Sequence, residues 1–187
     1  PTGELSFGAG YSTSEGVIGD ISLTSTTGQV QLGGAVTSDN GSITLHSNST
    51  LDTGGSPVSA TKGDVTLISD AGTVTIGAGG VAVGNALTIK IAPLLTLEIT
   101  GNIVAPQIAL IADDIRIDPS ASVGDATATS ITLGPVSLDR AIVLGGTSLV
   151  AGTLTLTDVA LSRLAPGATL TIGNATAGAI TVRGATI

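Results

Sequence analysis

The sequence predicts an all-β fold, a right-handed parallel β-helix of about eight coils with ~22 residues per coil, and three observations point to it. The first is a phrase that returns at a fixed interval: Gly19-Asp20-Ile21-Ser22-Leu23, Gly41-Ser42-Ile43-Thr44-Leu45, Gly63-Asp64-Val65-Thr66-Leu67 and Asn85-Ala86-Leu87-Thr88-Ile89, with first apolar residues 22 positions apart. A period of this length marks a solenoid, in which one repeat is too small to bury its own apolar face and must stack on its neighbours. The second is alternation within each phrase, apolar at every second position and rich in Ile, Val and Thr, which describes a strand with one buried face. The third is composition. The 187 residues include 27 glycines, one Phe, one Tyr and no Trp, Met or Cys. Such a core of Val, Ile, Leu, Ala and Thr must be thin and regular, with Gly, Ser, Asn and Asp left to turn the corners.

The chain is expected to form one domain over residues 1–187. In residues 1–18, Leu5-Ser6-Phe7 and Tyr11 either cap the first coil or belong to a trimmed one. Residues 19–157 read as regular coils. A second alternation follows the first by nine residues, Gly28-Gln29-Val30-Gln31-Leu32-Gly33 and Gly72-Thr73-Val74-Thr75-Ile76-Gly77. A third, shorter step follows at Ala35-Val36 and Val81-Ala82-Val83. Three strands between polar corners make one triangular turn, and coils rising by roughly 4.8 Å would build a rod on the order of 40 Å long. Crossovers between parallel strands favour a right-handed path. The column continues at Ile108, Ile131 and Leu154, with slips of one residue absorbed at corners. Prolines 57, 93, 106, 119, 135 and 166 fall at or beside those corners, where the missing N–H costs no ladder bond. Pro93, within Ile89-Lys90-Ile91-Ala92-Pro93-Leu94-Leu95, marks either a packed corner or an outward apolar patch. Residues 158–187 read as irregular terminal coils. Thr157 or Asp158 can cap a short helical insertion near residues 158–164, and Pro166-Gly167 stops it.

The formal charge of −8 opposes attraction to nucleic acid or to an anionic membrane. No apolar run reaches the roughly 18 residues needed to cross a bilayer, so membrane insertion is not expected. Beginning at Pro1 with no export signal, the chain reads as a mature product or a piece of something longer.

The residues predict no catalytic, cofactor-binding or metal site. His46 is the only histidine and alternation turns it outward with Ser42 and Thr44. Asp113, Asp114 and Asp118 form the densest acidic group, with Arg116 among them, and such oxygens can hold calcium. Yet Asp114, Arg116 and Asp118 alternate outward around Ile115 and Ile117, the pattern of a self-compensating surface. Gly8-Ala9-Gly10 and Gly77-Ala78-Gly79 lack the helix of a dinucleotide fingerprint and read as turns, and Gly77–Val81 lacks the Asp of a calcium-binding nonapeptide. An outward row of Ser22, Thr44, Thr66, Thr88, Ala109, Thr132 and Thr155 is expected along the rod, flanked by residues too mixed for an ice-binding array.

The phrases GDISLTS, GSITLHS and GDVTLIS, with the later LTLTDVALSRLAPGATLTIGNATAGAITV, resemble the long repeat regions of filamentous haemagglutinin-like exoproteins exported by two-partner secretion. The resemblance runs from about residue 19 to the end. It implies a right-handed parallel β-helix, a secreted or cell-surface location, and a non-enzymatic stalk that mediates adhesion or builds filaments. It further implies contact with host or neighbouring-cell surfaces, glycan or protein, and an outer-membrane transporter during export. The family's amino-terminal secretion domain is not evident, which points to an interior or distal segment. The alternative is a β-helix carbohydrate-active enzyme, a polysaccharide lyase or hydrolase, which needs paired carboxylates and a base along a groove. The apolar, uncapped phrase at residues 179–187 predicts end-to-end self-association.

Overall fold

A strand with apolar residues at alternate positions can bury one face only against another such strand, and here each finds its partner one coil away. The computed structural model describes residues 5–7, 11–13 and 19–184. In chain order the strands are β1 (Leu5–Phe7), β2 (Tyr11–Thr13), β3 (Ile21–Ser25), β4 (Val30–Leu32), β5 (Val36–Ser38), β6 (Ile43–Ser47) and β7 (Leu51–Asp52). There follow β8 (Val58–Ala60), β9 (Val65–Ser69), β10 (Val74–Ile76), β11 (Val81–Val83), β12 (Ala86–Ile91), β13 (Thr96–Ile99) and β14 (Ile103–Val104). The last are β15 (Gln107–Ile111), β16 (Asp114–Ile117), β17 (Ser130–Gly134), β18 (Ile142–Leu144), β19 (Leu154–Leu156), β20 (Thr169–Ile172) and β21 (Ile180–Val182), with a short helix, α1 (Asp158–Ser162), before β20.

These strands stack into a seven-stranded sheet, β20-β17-β15-β12-β9-β6-β3, a six-stranded sheet, β1-β4-β7-β10-β13-β16, and a five-stranded sheet, β14-β11-β8-β5-β2. A fourth, short sheet has the order β19-β18-β21. Every strand pair is parallel, and coils of about 22 residues follow one another: the fold is a parallel β-solenoid.

The coils make about five turns, fewer than the eight that counting phrases predicts. One departure from the phrase count lies after β17. Ile21, Ile43, Val65, Leu87, Ile108 and Ile131 do form one column, but the next residue in it is Leu170, not Leu154. Strand β18 instead turns back through residues 145–153 and lays β19 beside itself, so this phrase widens a level of the rod without adding a coil. Gly145 and Gly146, at φ of 84° and 83°, open that reversal in the left-handed region that residues with a Cβ disfavour.

Inside the rod, Ile43, Leu45, Val65, Leu67, Leu87, Ile89, Ile108 and Leu110 are buried in columns of like residues. Each fully buried aliphatic side chain contributes about 1.5–3 kcal/mol. Corners are closed from within by buried hydroxyls: the Ser47 hydroxyl bonds the carbonyls of Gly28 (3.0 Å) and Thr50 (2.9 Å). Another corner is closed by glycines in close stack, since a Cβ on Gly63 would lie 2.2 Å from the Gly41 carbonyl oxygen.

The expected helical insertion is present as α1. Thr157 is its N-cap, its hydroxyl accepting from Ala160 N at 3.2 Å, and the helix rests on β16 and β19. The six corner prolines all lie outside strands. At the Pro93 corner the outward reading holds, with Pro93 exposed and Leu94 75% exposed. At the amino end, β1 and β2 pair in parallel register with β4 and β5, as strands of a partial coil do. A capping role for the Phe7 and Tyr11 side chains lies outside the described residues, as do residues 185–187.

Candidate functional site

Alternation and corner geometry send the three clustered aspartates to three different tasks. Asp113, at the corner between β15 and β16, is fully buried. Its carboxylate accepts from Leu94 N (2.8 Å), Val136 N (2.8 Å), Ser137 N (2.8 Å) and the Ser137 hydroxyl. Burial alone would raise its pKa, but the hydrogen bonds from the Ser137 hydroxyl and from the N–H groups of Ser137, Leu94 and Val136 outweigh it and hold the carboxyl below the usual value. Asp114 points outward from β16, where its Oδ2 accepts from Arg116 Nε (3.0 Å) and Thr96 Oγ1 (3.2 Å) and pairs with Arg116 Nη2 at 2.8 Å. Asp118 closes its own turn by accepting from the Ser120 hydroxyl (2.6 Å) and N–H (2.8 Å), which together lower its pKa. Among the described residues no three His, Asp or Glu side chains are grouped as metal ligands.

His46 faces outward as alternation requires. Its Nε2 meets Asp70 Oδ2 at 2.7 Å, a partner 24 residues away that sequence reasoning did not single out. The period contains the signal: His46 registers with Ile68 on the next coil, and Asp70 stands two residues further on the same side. A shallow pocket beside this pair is lined by Ile68, Lys90, Pro93 and Val136.

The outward row of small residues on the seven-stranded sheet is Ser22, Thr44, Thr66, Thr88, Ala109, Thr132 and Thr171. Thr155 does not belong to it. That residue is buried in β19, where its hydroxyl accepts from Val150 N at 3.1 Å, because residues 145–153 fold back over it. Gly77 is a turn glycine, its N–H donating to Thr53 Oγ1 at 2.9 Å. Gly8-Ala9-Gly10 lies outside the described residues.

The same fold-back makes a concave site, which sequence reasoning missed. Thr96, Asp114 and Arg116 form its floor, Leu94 and residues 149–153 its walls, and Arg140 reaches in from the corner after β17, around a cavity of about 300 Å³. Arg140 donates from Nε to the Asp113 carbonyl (3.2 Å) and from Nη2 to the Thr153 carbonyl (3.5 Å). Thr153 is pinned in turn by its hydroxyl, which bonds Val150 O at 2.9 Å and lies 2.8 Å from Thr155 Oγ1. The site therefore combines a carboxylate, two guanidinium groups and threonine hydroxyls on a fixed frame, which suits it to holding a polar, charged ligand.

Compared with protein-family models, curated proteins and solved structures, the chain matches none.

Proposed function

We propose that this chain is a non-enzymatic rod segment of a secreted bacterial surface adhesin, of the filamentous haemagglutinin-like kind, exported through an outer-membrane transporter. The observation that supports this reading best is the unbroken register of the seven-stranded sheet, which makes a stiff spacer whose outer residues vary while its core repeats. Stiffness with a variable surface is what a stalk needs to carry contact residues away from a cell. The likeness of the coil phrases to that family's repeats adds to it. Three of the polar candidates are engaged in structure: Asp113 ties a corner, Asp118 closes a turn, and His46 is held by Asp70. Beads coated with the purified chain are expected to bind host or bacterial cells above albumin-coated beads. Equal binding would overturn the reading.

The second reading, a β-helix carbohydrate-active enzyme, draws on the groove that joins Asp114 to Arg116 and Arg140. It predicts release of reducing sugar from pectin or alginate, with or without calcium, and loss of that release in Asp114→Ala.

A further inference from the structure

We infer that the groove between β16 and residues 149–153 is a binding site for a hydroxycarboxylate, the chemistry of a uronic acid, with Arg140 as its anchor. The inference rests on the reading of the chain as a contact segment and supplies the ligand class for that contact.

The two arginines of the groove differ in what remains for a ligand. Arg116 is neutralised by Asp114, at 2.8 and 3.0 Å, with Glu98 Oε1 a further 4.0 Å away. Arg140 forms no ion pair among the described residues, and both of its hydrogen bonds go to neutral carbonyls. A guanidinium has five N–H donors, so three remain, on a half-buried cation inside a chain of net charge −8. A planar carboxylate fits such a fork through two parallel bonds. A single unpaired cation, with the Asp114 carboxylate in the same groove, favours a monoanion over the greater charge of a phosphate.

Hydroxyl groups are the second requirement, and the groove offers acceptors for them. All the bonds to Asp114 fall on Oδ2, which leaves Oδ1 to accept a ligand O–H. Leu94 and Leu149, 75% and 53% exposed, flank the opening and give the C–H face of a sugar ring an apolar contact. A cavity of about 300 Å³ is at the small end of ligand sites, which suits one acidic sugar unit better than a long chain laid end to end.

Isothermal titration of the whole chain with galacturonate tests this, with galactose as the neutral control and an oligogalacturonate to separate a free acid from a unit of a polymer. Galacturonate is expected to bind saturably and galactose not to. Arg140→Gln should weaken binding at least tenfold. Because Arg140 also holds two carbonyls, Ala151→Trp is the second variant: it fills the groove from an exposed position that lines it, and should also abolish binding while the β circular dichroism stays unchanged. Tighter binding of the oligomer than of the monosaccharide would identify the polymer as the source, and the reverse would identify the free acid. No saturable binding, equal binding of galactose, or full affinity in a folded Ala151→Trp would overturn the inference. Bead adhesion reads the rod function separately, so adhesion without uronate binding removes this site alone.

Discussion

Ser137 donates both its N–H, at 2.8 Å, and its hydroxyl to the carboxylate of Asp113, 24 residues earlier, across the boundary between one coil and the next. Leu94 and Val136 add their N–H groups to the same carboxylate, so three segments meet at one buried charge. Arg140, which reaches into the groove, sits three residues beyond Ser137 and bonds the Asp113 carbonyl.

Removing that hub leaves three N–H groups and a hydroxyl without their acceptor. Each buried donor left unpaired costs ~1–3 kcal/mol, so Asp113→Ala is expected to destabilise the chain by about 3 kcal/mol or more. Urea denaturation followed by circular dichroism measures this. A loss under ~1 kcal/mol would mean that the corner re-forms its bonds elsewhere.

The same carboxylate makes stability depend on pH. Its folded pKa lies below the unfolded value of about 3.9, so the unfolded chain binds more protons through that interval. The contribution is fully present above the unfolded pKa and is lost as pH falls through the folded one. Asp118 and Asp125, also lowered, act in the same direction. Thermal melts should therefore shift downward below about pH 4, and Asp113→Asn should flatten that slope while lowering stability at neutral pH.

Gly63 tests whether the corner stack needs glycine. An added Cβ would lie 2.2 Å from the Gly41 carbonyl oxygen, a backbone atom that cannot swing aside. Gly63→Ala is expected to cost on the order of 1–3 kcal/mol by overpacking, whereas Gly55→Ala, where nothing lies within 4 Å, should change little. Equal melting temperatures for the two variants would contradict the stack.

The carboxyl-side edge of the described rod predicts association. Leu170, Ile180 and Val182 are 43%, 52% and 63% exposed on β20 and β21, the outermost strands of their sheets. Among the described residues strand β3 is the outermost at the other end of the seven-stranded sheet, so a second copy is expected to continue that ladder head to tail, extending without closure. Sedimentation over a hundredfold concentration range should show self-association, reduced in Ile180→Asp. Strictly monomeric behaviour of the parent chain would exclude it.

Much of this was legible from residues alone where the period held. From Ile21 to Ile131 the spacing assigned strand, face and register together, because a parallel coil repeats its neighbour's backbone and a slip of one residue would expose the core. The helix at Thr157 was legible for a local reason, a cap and a stop within ten residues. Asp113 and Asp114 were harder. They are adjacent and chemically alike, yet one is buried at a corner and the other faces the groove. Alternation describes strands and does not extend through the corner where Asp113 sits.

Sequence by itself determined the architecture: a 22-residue period with apolar residues at every second position can be buried only by parallel stacking. Tertiary structure alone decided the groove. Leu154-Thr155-Leu156 carries the same alternation as any other strand, and nothing local distinguishes adding a coil from folding back beside β18. That choice depends on contact with β16, far earlier in the chain, which acts together with the adjoining α1 and residues 145–153. It buries Thr155, leaves Leu170 to continue the column, and sets Arg140 opposite Asp114 and Arg116 in one cavity.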